Sequence, residues 1–337
     1  MNREKILKVD NLTVGFQYRG TKFKAVRNVS FDINEEETLA IVGESGSGKS
    51  TLAYSIMNLL PPNAKITTGD IIFKAKDKEY NISKLSPYSN EMNYIRANEI
   101  SMIFQEPSSS LNPVYKVGWQ IDEKLRLHTD LTFKERYERI VNLLKELEIN
   151  DPDRVYQSYP FQLSGGMNQR VMIAIALIFT PRLLICDEPT SALDVTVQEQ
   201  ILIMLNNLQK RYKNSIIFIT HDLSVALSFS DKIMVMYLGF AMENGKTSDI
   251  LSNPLHPYTH SLLESNISLD NRKEKLKVIK GEIPTPTTYK VGCPFAPRCQ
   301  YAKKTCFEKT PPIISTSDRE IRCWMFENEG NKSEEGK

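Results

Sequence analysis

The sequence predicts an α/β fold in which a parallel sheet carries a phosphate-binding loop. An antiparallel β layer precedes it, a helical subdomain is inserted, and a small cysteine-rich extension closes the chain. Three observations lead there. Gly43-Glu44-Ser45-Gly46-Ser47-Gly48-Lys49-Ser50 fits G-x-x-x-x-G-K-S/T between an apolar strand run and a helical run. Leu183-Leu184-Ile185-Cys186 is an apolar strand run that ends on two carboxylates, Asp187 and Glu188. The strand runs 183–187 and 215–220 flank a helical stretch, Val195 to Tyr212, which is the pattern of a right-handed βαβ crossover.

In chain order, Lys5 to Ile33 alternates short apolar and polar runs around Tyr18-Arg19-Gly20-Thr21, as antiparallel strands do. Thr38 to Val42 reads as a buried strand and Ser50 to Leu60 as a helix. Tyr137, Ile140, Val141, Leu144 and Leu147 recur at helical intervals among charged residues, so the stretch 106–180 is read as the helical insertion. The boundaries expected are a nucleotide-binding domain over 1–250, an extension over 251–327 where helix and strand signals thin, and a polar, disordered tail over 328–337.

Composition bounds the function. With 41% hydrophobic and 25% charged residues the chain has ordinary globular material, and 43 Lys+Arg against 41 Asp+Glu leaves a net charge of +2. That balance gives no electrostatic footprint for nucleic acid. The charged opening MNREKILKVD has no secretory h-region, so a cytosolic location is expected. The longest apolar run, Val171 to Phe179, is far short of the ~20 residues a membrane span requires.

The chemistry follows from residue types. Glycines let successive backbone N–H groups converge on phosphate oxygens, the following helix adds a partial positive charge, and Lys49 adds a full one. Ser50, followed by Thr51, is placed to ligate Mg²⁺, and Asp187 to hold the ion through water. Glu188, one residue further, can take the proton of the water that attacks the γ-phosphate. Ser164, Gly165 and Gly166 stand before an apolar helix and form a second anion-binding helix start.

The segment Leu163-Ser164-Gly165-Gly166-Met167-Asn168-Gln169-Arg170 resembles the signature of the ABC ATPases, a group of P-loop NTPases, with Met167 where many members carry Gln. The resemblance implies a head-to-tail dimer in which Ser164, Gly165 and Gly166 of one subunit cap ATP held by the other. It further implies Gln105 as the Q-loop residue that reaches Mg²⁺ and water, Asp194 in the D-loop Ser191-Ala192-Leu193-Asp194, and His221 as the switch histidine. An aromatic residue that stacks on adenine is implied too, with Phe16 at the best spacing and Tyr18 and Phe23 as rivals. Two stretches are similar to the oligopeptide/dipeptide import branch of Opp/Dpp type: Gln105 to Pro113, and 253–259 with 292–299.

Membership of that branch implies an ATPase that drives peptide import from the cytoplasmic face of the membrane. Its partners would be a second, different ATPase subunit, two membrane permease subunits and an extracytoplasmic substrate-binding protein. A nickel chelate or an oligosaccharide is the alternative cargo, and a soluble ABC ATPase acting on ribosome or DNA is the alternative of another class. Cys293, Cys299, Cys306 and Cys323, spaced C-x5-C-x6-C-x16-C, offer four soft ligands. Similar importer ATPases carry a 4Fe–4S cluster, which this set resembles more than a zinc site with close cysteine pairs. Metal-free thiols or a disulfide, and an iron–sulfur redox function, are the other readings.

Overall fold

The computed structural model describes residues 3–105, 110–191, 193–270, 281–316 and 319–327, with the side chains of 266–270 excepted. The tail expected at 328–337, Glu106 to Ser109 of the Q-loop continuation and Ala192 of the D-loop lie outside these residues.

Strands β1 (Lys5–Tyr18) and β2 (Thr21–Asn34) form a hairpin turned at Arg19 and Gly20, and β4 (Ala64–Lys74) and β5 (Glu79–Asn81) complete an antiparallel sheet in the order β2-β1-β4-β5. The larger sheet takes β3 (Thr38–Val42), β6 (Ile100–Ile103), β7 (Leu183–Asp187), β8 (Ser215–Thr220), β9 (Lys232–Tyr237) and β10 (Phe240–Lys246). The short strands β11 (Ile314–Ser315) and β12 (Arg319–Ile321) extend its edge, giving the order β11-β12-β10-β9-β3-β8-β7-β6. Strands β9, β3, β8, β7 and β6 run parallel; the pairs from β9 outward are antiparallel.

Why the parallel strands are apolar throughout follows from the pleat, which sends successive side chains to opposite faces. Leu183, Ile185, Ile217 and Ile219 join the core under the antiparallel sheet, whereas Leu184, Cys186, Ile216 and Phe218 join the core under the helices. Both faces are covered, so both sets must be hydrophobic. Cys186 is fully buried in this second core.

Helix α1 (Lys49–Ile56) follows the phosphate loop and ends short of Leu60, because Asn58 turns into left-handed backbone at φ 52°. After α2 (Asn90–Tyr94), the insertion holds α3 (Val117–His128), α4 (Phe133–Glu146), α5 (Pro152–Gln157) and α6 (Gly165–Leu177). Thr132 and Glu135 form a capping box at the start of α4, and Asp151 caps α5 with Pro152 at its first position. Helix α7 (Val195–Tyr212) spans the stretch read as the crossover helix.

Past residue 223 come α8 (Leu223–Phe229), α9 (Thr247–Ser252), α10 (Pro257–Asp270) and α11 (Lys304–Glu308). This part of the chain packs directly on the large sheet. Tyr258 and Phe295 share a core with Ala40, Val42, Val235 and Tyr237, and Glu243 pairs with Ile321 across β10 and β12. The Arg322 guanidinium donates to the carbonyls of Pro311 and Asn28, tying the C-terminal strand to the N-terminal hairpin.

Candidate active site

The phosphate loop leaves β3 at Val42 and enters α1 at Lys49. Glycine is dictated at both shoulders of the loop. At Gly43 a Cβ would stand 2.1 Å from the Met236 carbonyl oxygen, and at Gly48, with φ +100°, it would stand 2.3 Å from the Ala25 carbonyl oxygen. The loop is thus pressed between β2 and the end of β9. Lys49 is buried; its Nζ donates to the carbonyls of Gly43 at 2.7 Å and Glu44 at 3.1 Å. Burial lowers its pKa, while the carboxylates of Glu188, Asp187 and Glu44 oppose the fall.

Strand β7 delivers the acidic pair beside this lysine. Ser50 Oγ donates to Asp187 Oδ1 at 3.1 Å. Burial raises the Asp187 pKa, the Ser50 hydrogen bond resists, and Glu188 raises it further. Glu188 sits just past the strand in left-handed backbone at φ 46°, held by its N–H on the Ile219 carbonyl at 2.9 Å. Its Oε2 accepts from Gln105 Nε2 at 3.1 Å and lies 3.2 Å from His221 Nδ1. Three parallel strands therefore end on one carboxylate: β6 leads to Gln105, β7 to Glu188 and β8 to His221.

Ser164 caps α6, its Oγ accepting the Met167 N–H at 3.3 Å, and Asp194 caps α7, accepting the Val197 N–H at 3.0 Å. Phe16 stacks on Phe23 with ring centroids 5.5 Å apart, and both line a cavity of ≈ 600 Å³ with Lys22, Lys24 and Lys65. Tyr18 is exposed, with the Arg19 guanidinium over its ring.

Cys293, Cys299, Cys306 and Cys323 line one small pocket with Phe295 and Trp324, and all four are free thiols. Burial pushes the Cys293 thiol up to about 12 and raises Cys299 and Cys323 as well. Among the described residues no group of three or more His, Cys, Asp or Glu side chains is arranged to hold a metal ion. Neither the expected 4Fe–4S cluster nor zinc at the four cysteines finds support in that arrangement.

Comparison with known proteins places the chain. Residues 26–191 match the family model for the ABC transporter, and 242–306 match that for the oligopeptide/dipeptide transporter C-terminal region. The chain is 45% identical over 327 residues to the oligopeptide transport ATP-binding protein AppD of Bacillus subtilis, covering 96% of this chain and 98% of that protein. It belongs to the ABC transporter family of ATP-binding proteins. Further relatives in the same organism are the oligopeptide transport ATP-binding protein OppD, 43% identical over 98% of this chain and 91% of that one, and the dipeptide transport ATP-binding protein DppD, 45% identical over 96% and 95%.

This ABC ATPase also shares its fold with solved structures. The ATP-binding cassette MJ0796, seen as a dimer with ADP and Pi, superposes with a TM-score of 0.62 at 30% identity over 72% of this chain and 98% of that one. CbiO1 of Clostridium perfringens superposes with a TM-score of 0.61 at 28% identity over 74% and 92%. As members of this family do, the chain hydrolyses ATP, and Mg²⁺ fits the Ser50 and Asp187 oxygens. Among the described residues no helix is long and apolar enough to cross a membrane.

Of the residues expected around the nucleotide, the ABC fold brings Lys49, Ser50, Asp187, Glu188, Gln105 and His221 together. Phe16, the group 164–166 and Asp194 make no hydrogen bond or ion pair with that cluster among the described residues. One contact on the phosphate loop has no counterpart in the sequence reading. The Arg298 guanidinium grips the Glu44 carboxylate at 2.6 and 3.0 Å, and Tyr258 Oη accepts the Glu44 N–H at 3.1 Å. The only sequence signals were Pro257-Tyr258 and Pro297-Arg298-Cys299, more than 200 residues from their partner.

Proposed function

We propose that the chain is the ATP-hydrolysing subunit of a membrane importer for oligopeptides or dipeptides. The observation that carries this is the joint match of 26–191 and 242–306 to the two family models, in a chain similar almost end to end to peptide-transport ATP-binding proteins. Residues 1–250 form the ATP-binding unit and 251–327 its extension. It works at the cytoplasmic face of the membrane with two permease subunits and a second, different ATPase, and an extracytoplasmic binding protein delivers the peptide.

In this reading Gly43 to Ser50 and Thr51 bind the phosphates, and Phe16 stacks on adenine. Ser50, Asp187 (through water) and Gln105 would hold Mg²⁺, which would supply positive charge against the β- and γ-phosphates. Glu188 Oε2 takes a proton from the attacking water as its oxygen bonds to the γ-phosphorus and the bond to the leaving ADP breaks. Gln105 and His221, both within hydrogen-bonding reach of that oxygen, aim the carboxylate. Ser164, Gly165 and Gly166 cap the partner's ATP, with Asp194 beside the shared site.

The extension holds a 4Fe–4S cluster on Cys293, Cys299, Cys306 and Cys323. The support is chemical: four thiols and no carboxylate line the pocket, and a cluster spreads its ligands further apart than a single ion does. Protein purified without oxygen should contain about four irons and as much acid-labile sulfide per chain; none of either removes the cluster from this account. The transport role is tested by deleting the gene from its host and supplying an essential amino acid only as a peptide. Growth should be lost, and return with the parent gene but not with a Lys49→Met copy; unchanged growth would reject peptide as the cargo.

A further inference from the structure

The motif G-x-x-x-x-G-K-S/T leaves the second position free, since the phosphates are bound by backbone and by Lys49. Here that position is Glu44, a carboxylate in a loop meant for an anion, and it is tied down with care. Arg298 donates to both carboxylate oxygens, at 2.6 and 3.0 Å, with a side chain only 4% exposed, and also donates to Tyr237 Oη at 3.2 Å. Burial works against the Arg298 charge, but the hydrogen bonds to Glu44 and Tyr237 outweigh it and raise its pKa. Tyr258 Oη takes the Glu44 N–H from the same side.

Both anchors come from the C-terminal part of the chain and are mounted on a buried aromatic cluster. Phe295 packs against the rings of Tyr237 and Tyr258 with centroids 5.5 and 5.2 Å away. The single turn 296–298 places Arg298 directly before Cys299, while the Cys293 N–H donates to the Cys306 carbonyl at 2.6 Å. The segment 293–299 thus has the cysteine pocket on one side and the phosphate loop on the other.

We propose that Arg298 is a positioning residue for ATP: by its paired hydrogen bonds to Glu44 it fixes the phosphate loop in its binding shape and cancels a charge that would repel the nucleotide, so segment 293–299 and the nucleotide site are energetically coupled. The proposal rests on Gly43 to Ser50 being the ATP phosphate loop. A bidentate pair of this kind is sensitive to geometry, and lysine, a point charge, does not reproduce it. Coupling of this kind is reciprocal: if the segment sets nucleotide affinity, nucleotide must stabilise the segment.

The experiment compares the full-length parent with Arg298→Ala, Arg298→Lys, Glu44→Gln and the Arg298→Ala/Glu44→Gln double variant. Mg·ATP hydrolysis and binding of a non-hydrolysable ATP analogue are measured, with circular dichroism to check folding. Arg298→Ala should raise KM and Kd at least tenfold with kcat within about twofold, Arg298→Lys should fall between, and the double variant should be no worse than Arg298→Ala. Hydrogen exchange of 293–299 should slow several-fold when the analogue binds the parent, and should not respond in folded Arg298→Ala. A parent that fails to bind the analogue would sink the phosphate-loop reading itself. A parent that binds it while a folded Arg298→Ala keeps KM within twofold would overturn the coupling, as would additive losses in the double variant. Should Arg298→Ala not fold, the parent alone decides: unchanged exchange at 293–299 on binding rejects the proposal.

Discussion

Replacing Glu188 by Gln changes one oxygen to nitrogen and little else. The amide oxygen can still accept from Gln105 Nε2 and His221 Nδ1, which now meet Oε2 at 3.1 and 3.2 Å, and the left-handed backbone at φ 46° is untouched. What is lost is the capacity to take a proton from water. General-base catalysis contributes about 10²–10⁴ in rate, or about 3–5 kcal/mol of barrier. Binding should not suffer, because Glu188 is one of the charges that raise the Asp187 pKa, and its removal leaves Asp187 more readily ionised beside Ser50. Phosphate release should therefore fall by about 10²–10⁴, with the Kd of a fluorescent ATP analogue unchanged or lower. Light scattering with Mg·ATP should then register an accumulated dimer. A kcat within tenfold of the parent, or a Kd that rises along with the fall in kcat, would refute the assignment of Glu188 as base.

Other consequences are equally direct. Gly48→Ala sets a Cβ 2.3 Å from the Ala25 carbonyl oxygen at φ +100°, whereas Gly46→Ala, at φ +76°, meets nothing within 4 Å. Thermal denaturation should show a loss of about 1–2 kcal/mol for Gly46→Ala, the cost of left-handed backbone alone, and a clearly larger one for Gly48→Ala; equal losses would contradict the packing of the loop on β2. Lys124 is half-buried, with weak contacts to Ser101 Oγ at 3.5 Å and the Ile175 carbonyl at 3.3 Å and its Nζ 5.8 Å from the centre of the Phe179 ring, and burial lowers its pKa to about 8. The folded state then binds this proton less tightly than the unfolded chain, so the cost is full below pH 8 and fades as pH rises toward 10.5. Lys124→Met should stabilise the fold at pH 7 by no more than about 3 kcal/mol, the gain shrinking between pH 8 and 10.5; a gain that grows with pH would show the sign to be wrong.

Much of the fold is legible in the sequence because the relevant forces are local. Strands TLAIV, LLICD and SIIFIT are covered on both faces, so burial writes itself as unbroken apolar runs. Helix α7 shows through its spacing and its Asp194 cap. The hairpin β9–β10, helix α10 and the strands β11 and β12 lie outside the elements the sequence predicts, and the last two are only two and three residues long. Strands so short carry no period of their own; they exist because β10 offers an edge at Glu243 to Gly245. At the site, glycines, a lysine and paired carboxylates announce themselves because phosphate chemistry needs those residue types at fixed spacing. The Glu44–Arg298 pair joins residues 254 apart, and nothing local in either stretch encodes it. Nor does spacing reveal how four cysteines meet in one pocket around Phe295 and Trp324.

The central claim, that ATP hydrolysis at this site drives peptide uptake, is tested most directly with the chain assembled with its permease subunits and the proposed partner ATPase in liposomes. With the chain facing the lumen, hydrolysis of Mg·ATP enclosed there and peptide accumulation in the lumen would be measured together, with and without peptide-loaded binding protein outside. The account predicts that both rise together on adding loaded binding protein and that both collapse in Glu188→Gln. Hydrolysis indifferent to peptide, or uptake that persists in Glu188→Gln, would contradict it.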